Sequence, residues 1–523
     1  MKKTYNLKGF ESTLSSYWID STNSTSNYPK LEDNMEIDIA IVGGGITGIT
    51  CGLLLKEAGF NVGIFERNTL ASLATGNTTA KITSQHHLIY DKLISSFGFD
   101  AAAKYGKANE EAINFIEDTI KKYNIDCDFK RLPSYIYTLE DSYIETLEKE
   151  NKAALSIGLK SNLSDNVPLP FPVKAAVAFE NQGEFHPRKY ILSLAKNIHG
   201  GGSYIFENTP IMDLNQEDGK KITLTTDDGK NIIASKVIIA SQFPFYDGLG
   251  LYFNKLVARR SYVIGCNIKE DFPNAMFINA EEPGRSLRSV DNEGKKLILI
   301  GGEGHKTAHG GSTLNRYNNL VDFATSNFTV ESIPYHWSTQ DYKSLDSVPY
   351  IGRLTSSLKD IYVATGFNEW GMSTGTLSAI ILKDLIANGC SIYEGVFNPS
   401  RSFSLESTKN FLSIGGHVAN DLLKGKLNEG SHDIFLEEDE GKIVTIEGDR
   451  YGAYKDREGF MHIVDITCTH LGCELKWNDG EKSWDCPCHA SRFSYTGKVL
   501  NGPALNPLHY YGKSKNKIDP NIL

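Results

Sequence analysis

The chain has 523 residues, 40% of them hydrophobic and 23% charged, an ordinary globular composition with room for two or three domains. A formal net charge of −10 and a pI near 5.8 argue against nucleic acid as a partner. No run of eighteen apolar residues is present, so no spanning helix is expected. The lysines near Met1 are followed by no apolar stretch, which speaks against a signal peptide and makes the cytoplasm the expected compartment.

Residues 1–35 are polar, with Tyr17-Trp18 as an apolar anchor, and read as an extended arm lying on the main domain. Ile37 to Val42 is a β-branched run typical of a buried parallel strand. A glycine cluster, a helix ending at Ala58-Gly59 and a second strand, 61–65, follow. Helices are predicted at 104–124, 142–155 and 190–198, strands at 221–226 and 231–240 around an Asp-Asp-Gly turn, and a short strand at 297–301. A strand at 361–365 runs into a glycine turn and a helix at 376–387. Residues 397–430 read as a connector holding one helix, 410–423, and short strands with glycine turns beyond it mark a small β domain.

The glycine cluster has a complete context: strand, Gly43, Gly45, Gly48, helix, strand, then Glu66, 23 residues after Gly43. The first glycine permits the tight turn, the second a close backbone approach to a pyrophosphate, and the third close helix–strand packing. Ile46 and Thr47 start the helix, whose free N–H groups and dipole suit phosphates, and Glu66 would accept hydrogen bonds from a ribose. A ligand-free strand–helix turn is the plainer alternative, and NAD and FAD both fit the fingerprint. Gly301-Gly302-Glu303-Gly304 lacks the third glycine, so no second nucleotide site is expected and NAD(P)H is the less favoured reductant.

Near the C-terminus, Cys468-Thr469-His470-Leu471-Gly472-Cys473 and Cys486-Pro487-Cys488-His489 each offer a thiolate and an imidazole plus a second cysteine. A Rieske [2Fe–2S] centre needs two cysteines on one iron and two histidines on the other. A structural zinc knot competes, but zinc sites favour C-x₂-C pairs, which are absent. The other four cysteines, Cys51, Cys127, Cys266 and Cys390, are scattered and read as buried small apolar residues.

The two boxes resemble those of the Rieske family. The resemblance implies that Cys468 and Cys486 ligate one iron, His470 and His489 the other, and that Cys473 and Cys488 form the disulfide joining the cluster loops. Gly502-Pro503-Ala504 resembles the family's proline loop. Ala490 stands where a glycine is usual, and Phe493 where high-potential members carry a tyrosine. Upstream, residues 38–67, 346–353 and 362–372 resemble the D-amino-acid oxidase/glycine oxidase superfamily, which decides for FAD. That resemblance implies flavin contacts from Arg67, from the loop Gly76, Thr78, Thr79, Ala80 and Lys81, from Ile211, and from the turn Thr365, Gly366, Asn368, Trp370, Gly371 and Met372.

The expected fold is α/β: a Rossmann-like FAD-binding domain with an interleaved α+β substrate domain, plus a small all-β Rieske domain. The expected boundaries are an arm 1–35, an oxidoreductase 36–396 (FAD parts about 36–90, 180–241 and 345–396; substrate parts about 91–179 and 242–344), a connector 397–430 and a Rieske domain 431–523. The expected activity is oxidation of a small amine or amino acid, with electrons leaving singly through the cluster to an acceptor protein or quinone. A reductase serving a partner protein and a redox sensor are the alternatives. Candidate substrate-site residues are His86, Tyr262, Arg288, His305 and Trp370, with Lys81 beside the flavin. Arg260, Arg285, His87 and Trp337 are weaker candidates, and ordinary packing or solvation competes for every one of these residues. No residue for covalent flavin attachment is evident, so non-covalent binding is assumed.

Overall fold

A computed structural model describes residues 4–22, 27–217, 221–247, 249–292, 294–401 and 435–515, together with Phe411, Ser413, Gly416 and Asp421. The connector helix expected at 410–423 lies outside the described residues apart from those four positions. The β-branched run forms the buried strand Met35–Val42, parallel to Val62–Phe65 on one side and Asn231–Ile239 on the other. These belong to an eight-stranded sheet that also takes in Tyr350–Arg353 and Ile361–Thr365. The helix Ile46–Glu57 packs across this sheet, and the helix Gly371–Ala387 packs against it in turn. That second helix starts earlier than expected, directly at the glycine turn. The helices Phe99–Tyr123, Ile144–Ser156 and Pro187–Ile198 realise the three predicted in the middle of the chain.

A second, eleven-stranded sheet carries the strands that the sequence left indistinct. Its longest members, Leu256–Ile268 and Val330–Ser344, are antiparallel, with Arg259 opposite Asp341, Arg260 opposite Gln340 and Ser261 opposite Thr339. The N-terminal arm is not simply extended. Thr4–Leu7 and Phe10–Leu14 form a hairpin that joins this sheet beside Val330–Ser344. A short helix, Tyr17–Asp20, then buries Trp18, whose indole donates to the Thr78 carbonyl at 2.6 Å. Backbone pairing along a sheet edge and a buried indole fix the arm more firmly than its polar composition suggested. Cys51, Cys127 and Cys266 are buried as expected, whereas Cys390 is exposed, because it follows the Gly389 turn that ends a helix.

Two four-stranded antiparallel sheets build the small C-terminal domain, which carries both cysteine–histidine boxes on loops at the ends of strands. Polar groups bolt this domain to the larger one. The Asp479 carboxylate accepts from the Thr313 and Leu314 amides at 2.7 and 3.2 Å and from the Ser312 and Thr313 hydroxyls, so it caps the helix Thr313–Asn327 from the other domain. Glu481 lies among Arg492, Arg260 and the Tyr317 hydroxyl, with Arg260 at 3.4 Å and Tyr317 at 3.1 Å. Burial works against its charge, but Arg492 and Arg260 hold its carboxyl at about 2. Asp479→Ala is expected to cost about 1 kcal/mol through the lost cap, read as a lower denaturation midpoint in urea.

Candidate functional site

A cavity of about 610 Å³ runs from the glycine cluster to the face of the larger sheet. Gly43, Gly45, Ile46 and Thr47 line one end, and Gly48 stands just behind them. A Cβ on Gly48 would fall 1.9 Å from the Gly43 carbonyl oxygen, and one on Gly43, which has φ +118°, would fall 2.5 Å from the Ala240 carbonyl oxygen. These two positions therefore need glycine for the turn itself. The Ile46 amide donates to Thr75 Oγ1 at 3.1 Å. Glu66 accepts from the Gly44 and Asn68 amides at 2.7 and 2.8 Å and faces the cavity, with burial raising its carboxyl above the usual range. Arg67 lines the same end, and Ile211 joins Phe243 and Phe245 there.

The loop from Gly76 to Lys81 crosses the middle of the cavity, presenting Thr78, Thr79 and Lys81. Gly76 packs onto the Ala71 carbonyl, where a Cβ would come within 2.2 Å. Ala80 takes φ +58° and donates its amide to Thr78 Oγ1 at 3.0 Å. Lys81 donates to the Ser286 hydroxyl across the cavity. Burial, helped by Arg288 and opposed by Glu184, lowers the Lys81 pKa to about 7. At the far side Asn368, Trp370, Gly371 and Met372 line the wall. Thr365 and Gly366 lie behind them, with Thr365 donating to the Gln242 carbonyl. The Asn368 side chain braces that turn through the Gly366 and Ser347 carbonyls at 2.8 and 3.1 Å. Two helices, Ile46–Glu57 and Gly371–Ala387, thus open their N-termini onto one cavity.

Several substrate-site expectations need correction. His86 lines the cavity and stacks on Trp370 at 5.0 Å, but both ring nitrogens are engaged: Nδ1 with Tyr105 at 2.6 Å, Nε2 with the Thr83 carbonyl at 2.7 Å and Ser373 at 3.0 Å. Burial takes its pKa to about 3, which keeps the ring neutral among these partners. Arg288 is no carboxylate clamp, since its guanidinium holds the Thr79 and Ala80 carbonyls at 3.0 and 2.7 Å and pairs with Glu184 at 3.1 Å. His305 does not face the cavity; its Nε2 meets the Tyr262 hydroxyl at 3.0 Å and its Nδ1 the Lys306 carbonyl at 2.8 Å. Tyr262 spends its hydroxyl on that pair, so only the rest of the residue lines the cavity. Arg260 is turned toward Glu481, and Trp337 supports the loop that leads to Lys81 by donating to the Asn77 carbonyl at 2.9 Å. Trp370 stands in the cavity wall, and His87 lines it with Nε2 facing the Asn279 carbonyl at 3.3 Å.

Other cavity residues were missed. Arg259 lines the cavity with a buried Nε that has no partner, and Ser72 contributes a buried, unpartnered hydroxyl. Gln242, Ser286, Asp341 and Lys343 are also in the lining, as is the candidate Arg285. Arg285 is already paired with Glu303 at 2.6 Å. No local motif marks these residues; strand register brings Arg259, Asp341 and Lys343 together, with Ser286 on the same sheet.

In the small domain the two boxes face each other. Cys468 and Cys486 are buried and close enough to share a hydrogen bond, which draws the Cys468 thiol below its usual range. The amides of His470 and Leu471 point at the Cys468 sulfur, and those of Cys488 and His489 at the Cys486 sulfur. The His470 and His489 rings are 5.0 Å apart, and Nδ1 of both, together with Nε2 of His489, is buried without a partner. Unpartnered buried imidazole nitrogens beside two thiols are what a metal cluster requires. The sulfurs of Cys473, Cys486 and Cys488 also lie within 4.8 Å of one another. Cys473 and Cys488 are joined as a disulfide, however, so only Cys486 of that group keeps a thiolate to offer. Phe493 is fully buried in this domain's core. The proline loop reaches the large cavity, whose lining includes Leu500, Gly502, Pro503 and Leu505.

Comparison with known proteins agrees with this geometry. Residues 38–385 match the family described as FAD dependent oxidoreductase, and residues 431–512 match the Rieske [2Fe-2S] domain. The chain belongs to the FAD dependent oxidoreductase family, with a Rieske domain at its C-terminal end. It is 40% identical, over 94% of its length and 96% of the relative's, to a Bacillus subtilis (strain 168) protein described as putative Rieske 2Fe-2S iron-sulfur protein YhfW. It is 23% identical to gamma-glutamylputrescine oxidoreductase of Escherichia coli (strain K12), over 73% of this chain and 91% of that one. A glycine oxidase structure from Geobacillus kaustophilus shares the fold with a TM-score of 0.59 at 18% identity, covering 71% of this chain and all of that one. The protein is an oxidoreductase whose cofactors are FAD and a [2Fe–2S] cluster. The glycine cradle and the unpartnered Ser72 hydroxyl fit the first, and the unpartnered imidazoles fit the second.

Gly48→Ala is expected to purify with most of its flavin lost, measured as the visible flavin absorbance per protein, because its methyl group meets a carbonyl. Lys81 carries its charge below about pH 7 and loses it above. Substrate-driven bleaching of the flavin should therefore change rate across that pH, and Lys81→Met should flatten the profile without releasing flavin.

Proposed function

We propose that the protein oxidises a small amine or amino acid and passes the electrons singly through its own Rieske cluster to an external acceptor. When bound, FAD supplies two-electron chemistry and the cluster one-electron chemistry. The observation that carries this reading is the seat of the cluster loops. Ala490, the residue after His489, is buried in the larger domain's core, and the proline loop lines the flavin cavity. His489 meets Phe253 of the larger domain edge to face at 6.1 Å. An amine or amino acid as donor is supported by the names of the relatives above.

Within this reading the chain's residues divide the work. The glycine cluster and Glu66 hold the adenosine half, the 76–81 loop and the 368–372 turn hold the flavin ring, and Cys468, Cys486, His470 and His489 hold the cluster. Arg259, which faces the cavity with an unsatisfied Nε, takes the carboxylate-binding part that the sequence had offered to its neighbours. Lys81 and Ser286 set the charge and hydrogen bonding at the reacting end. The boundaries 36–396 and 431–523 remain our division of the chain into two redox units.

An anaerobic panel of amines and amino acids tests this reading. A true donor should bleach the flavin first and then bring up the electron paramagnetic resonance signal of the reduced cluster. Bleaching by NADPH alone, with no response to any amine, would overturn it in favour of a reductase. His470→Ala should retain donor-driven flavin bleaching while losing cluster iron and nearly all reduction of a one-electron dye; undiminished dye reduction would remove the relay from the scheme.

A further inference from the structure

The strand Val330–Ser344 stands between part of the flavin cavity and the cluster domain. Thr339, Asp341 and Lys343 line the cavity. Side chains alternate along a strand, so Gln340 and Tyr342 point the opposite way, toward the cluster domain. Gln340 is buried and fully used. Its Nε2 donates to the Ala490 carbonyl at 3.0 Å and to the Tyr342 hydroxyl at 2.9 Å, and its Oε1 accepts from Arg260 at 2.8 Å. The Ala490 backbone has φ +63°, which turns the second cluster loop at the residue after His489. Tyr342 donates in turn to the Gly502 carbonyl at 3.4 Å, at the start of the proline loop. The loop is tied back to the second box by the Ala504 amide, which donates to Ser491 Oγ at 2.9 Å. One pair of side chains on the cavity wall therefore grips both loops.

We propose that Gln340 and Tyr342 are positioning residues for electron transfer: they hold the cluster loops against the cavity wall, and the strand carrying them is the bridge between the two redox sites. This rests on the flavin-to-cluster transfer of the functional reading. One electron crosses from reduced flavin to oxidised cluster in each passage. Two passages, each ended by an external one-electron acceptor, restore both centres, with the accompanying protons released to water. The Glu481 ion cluster and the Asp479 cap fasten the same interface.

The test compares wild type, Gln340→Leu and Tyr342→Phe as full-length holoproteins. The flavin is reduced by light and EDTA without oxygen, so no substrate is needed, and the cluster is followed by electron paramagnetic resonance. Hydrogen exchange at residues 488–491 is the second readout. Gln340→Leu should keep its flavin, its iron and the cluster's spectral shape, yet lose amide protection at 488–491 and reduce the cluster about tenfold more slowly. Tyr342→Phe deletes one oxygen atom, carries the test if the leucine variant fails to fold, and should slow the cluster phase in the same direction. Wild-type rates and wild-type protection in the variants would overturn the proposal while leaving the function standing. A wild-type cluster that stays oxidised beside reduced flavin would overturn the function itself.

Discussion

The alternation of side chains along two antiparallel strands organises this molecule. In Leu256–Ile268 and Val330–Ser344, residues 259, 261, 339, 341 and 343 look into the flavin cavity, while 260, 338, 340 and 342 look toward the cluster domain. A register slip of one residue would exchange the two sets and place Arg260 and Gln340 in the cavity. The register is held by a ladder of thirteen- and fifteen-residue strands and by the buried ions that meet across the interface. One sheet thereby serves as the floor of one redox site and the platform of another.

The same division explains the arginines. Arg259 and Arg260 lie on one strand of this sheet and Arg285 and Arg288 on another, with Lys295–Lys306 between the two, and each has a separate partner: the Gly304 carbonyl, Glu481, Glu303 and Glu184. Buried guanidinium groups need acceptors, and three of the four find a carboxylate. Arg288 braces the flavin loop from behind through two carbonyls, and Trp18 from the N-terminal arm braces it through a third. The loop with the positive-φ Ala80 is therefore held by two remote segments and needs little rigidity of its own.

The small domain follows a parallel logic. Its fold places two boxes thirteen or more residues apart on facing loops, and the Cys473–Cys488 bond ties them together. The imidazole that meets the larger domain, His489, is the more deeply buried of the two, whereas Leu471 beside His470 is half exposed. The two ligand loops thus face different surroundings: one the cavity wall, the other solvent.

Much of this was legible in the linear chain because the chemistry is local. Gly43, Gly45 and Gly48 act within one turn, Glu66 at the end of the next strand, and each cysteine–histidine box within six residues, so spacing alone carried their meaning. The family resemblance added the flavin loop and turn. The substrate side was not legible, because Arg259, Ser286 and Asp341 are brought together by strand pairing between distant segments, and nothing in their neighbours announces it. His86 misled for a related reason: besides the nearby Thr83 carbonyl, its ring meets Tyr105 and Ser373, which lie on two different helices. Sequence alone determined which cofactors the protein binds. Tertiary structure decided which face of each strand meets them, since a side chain's partner across a sheet depends on register, which no short motif encodes.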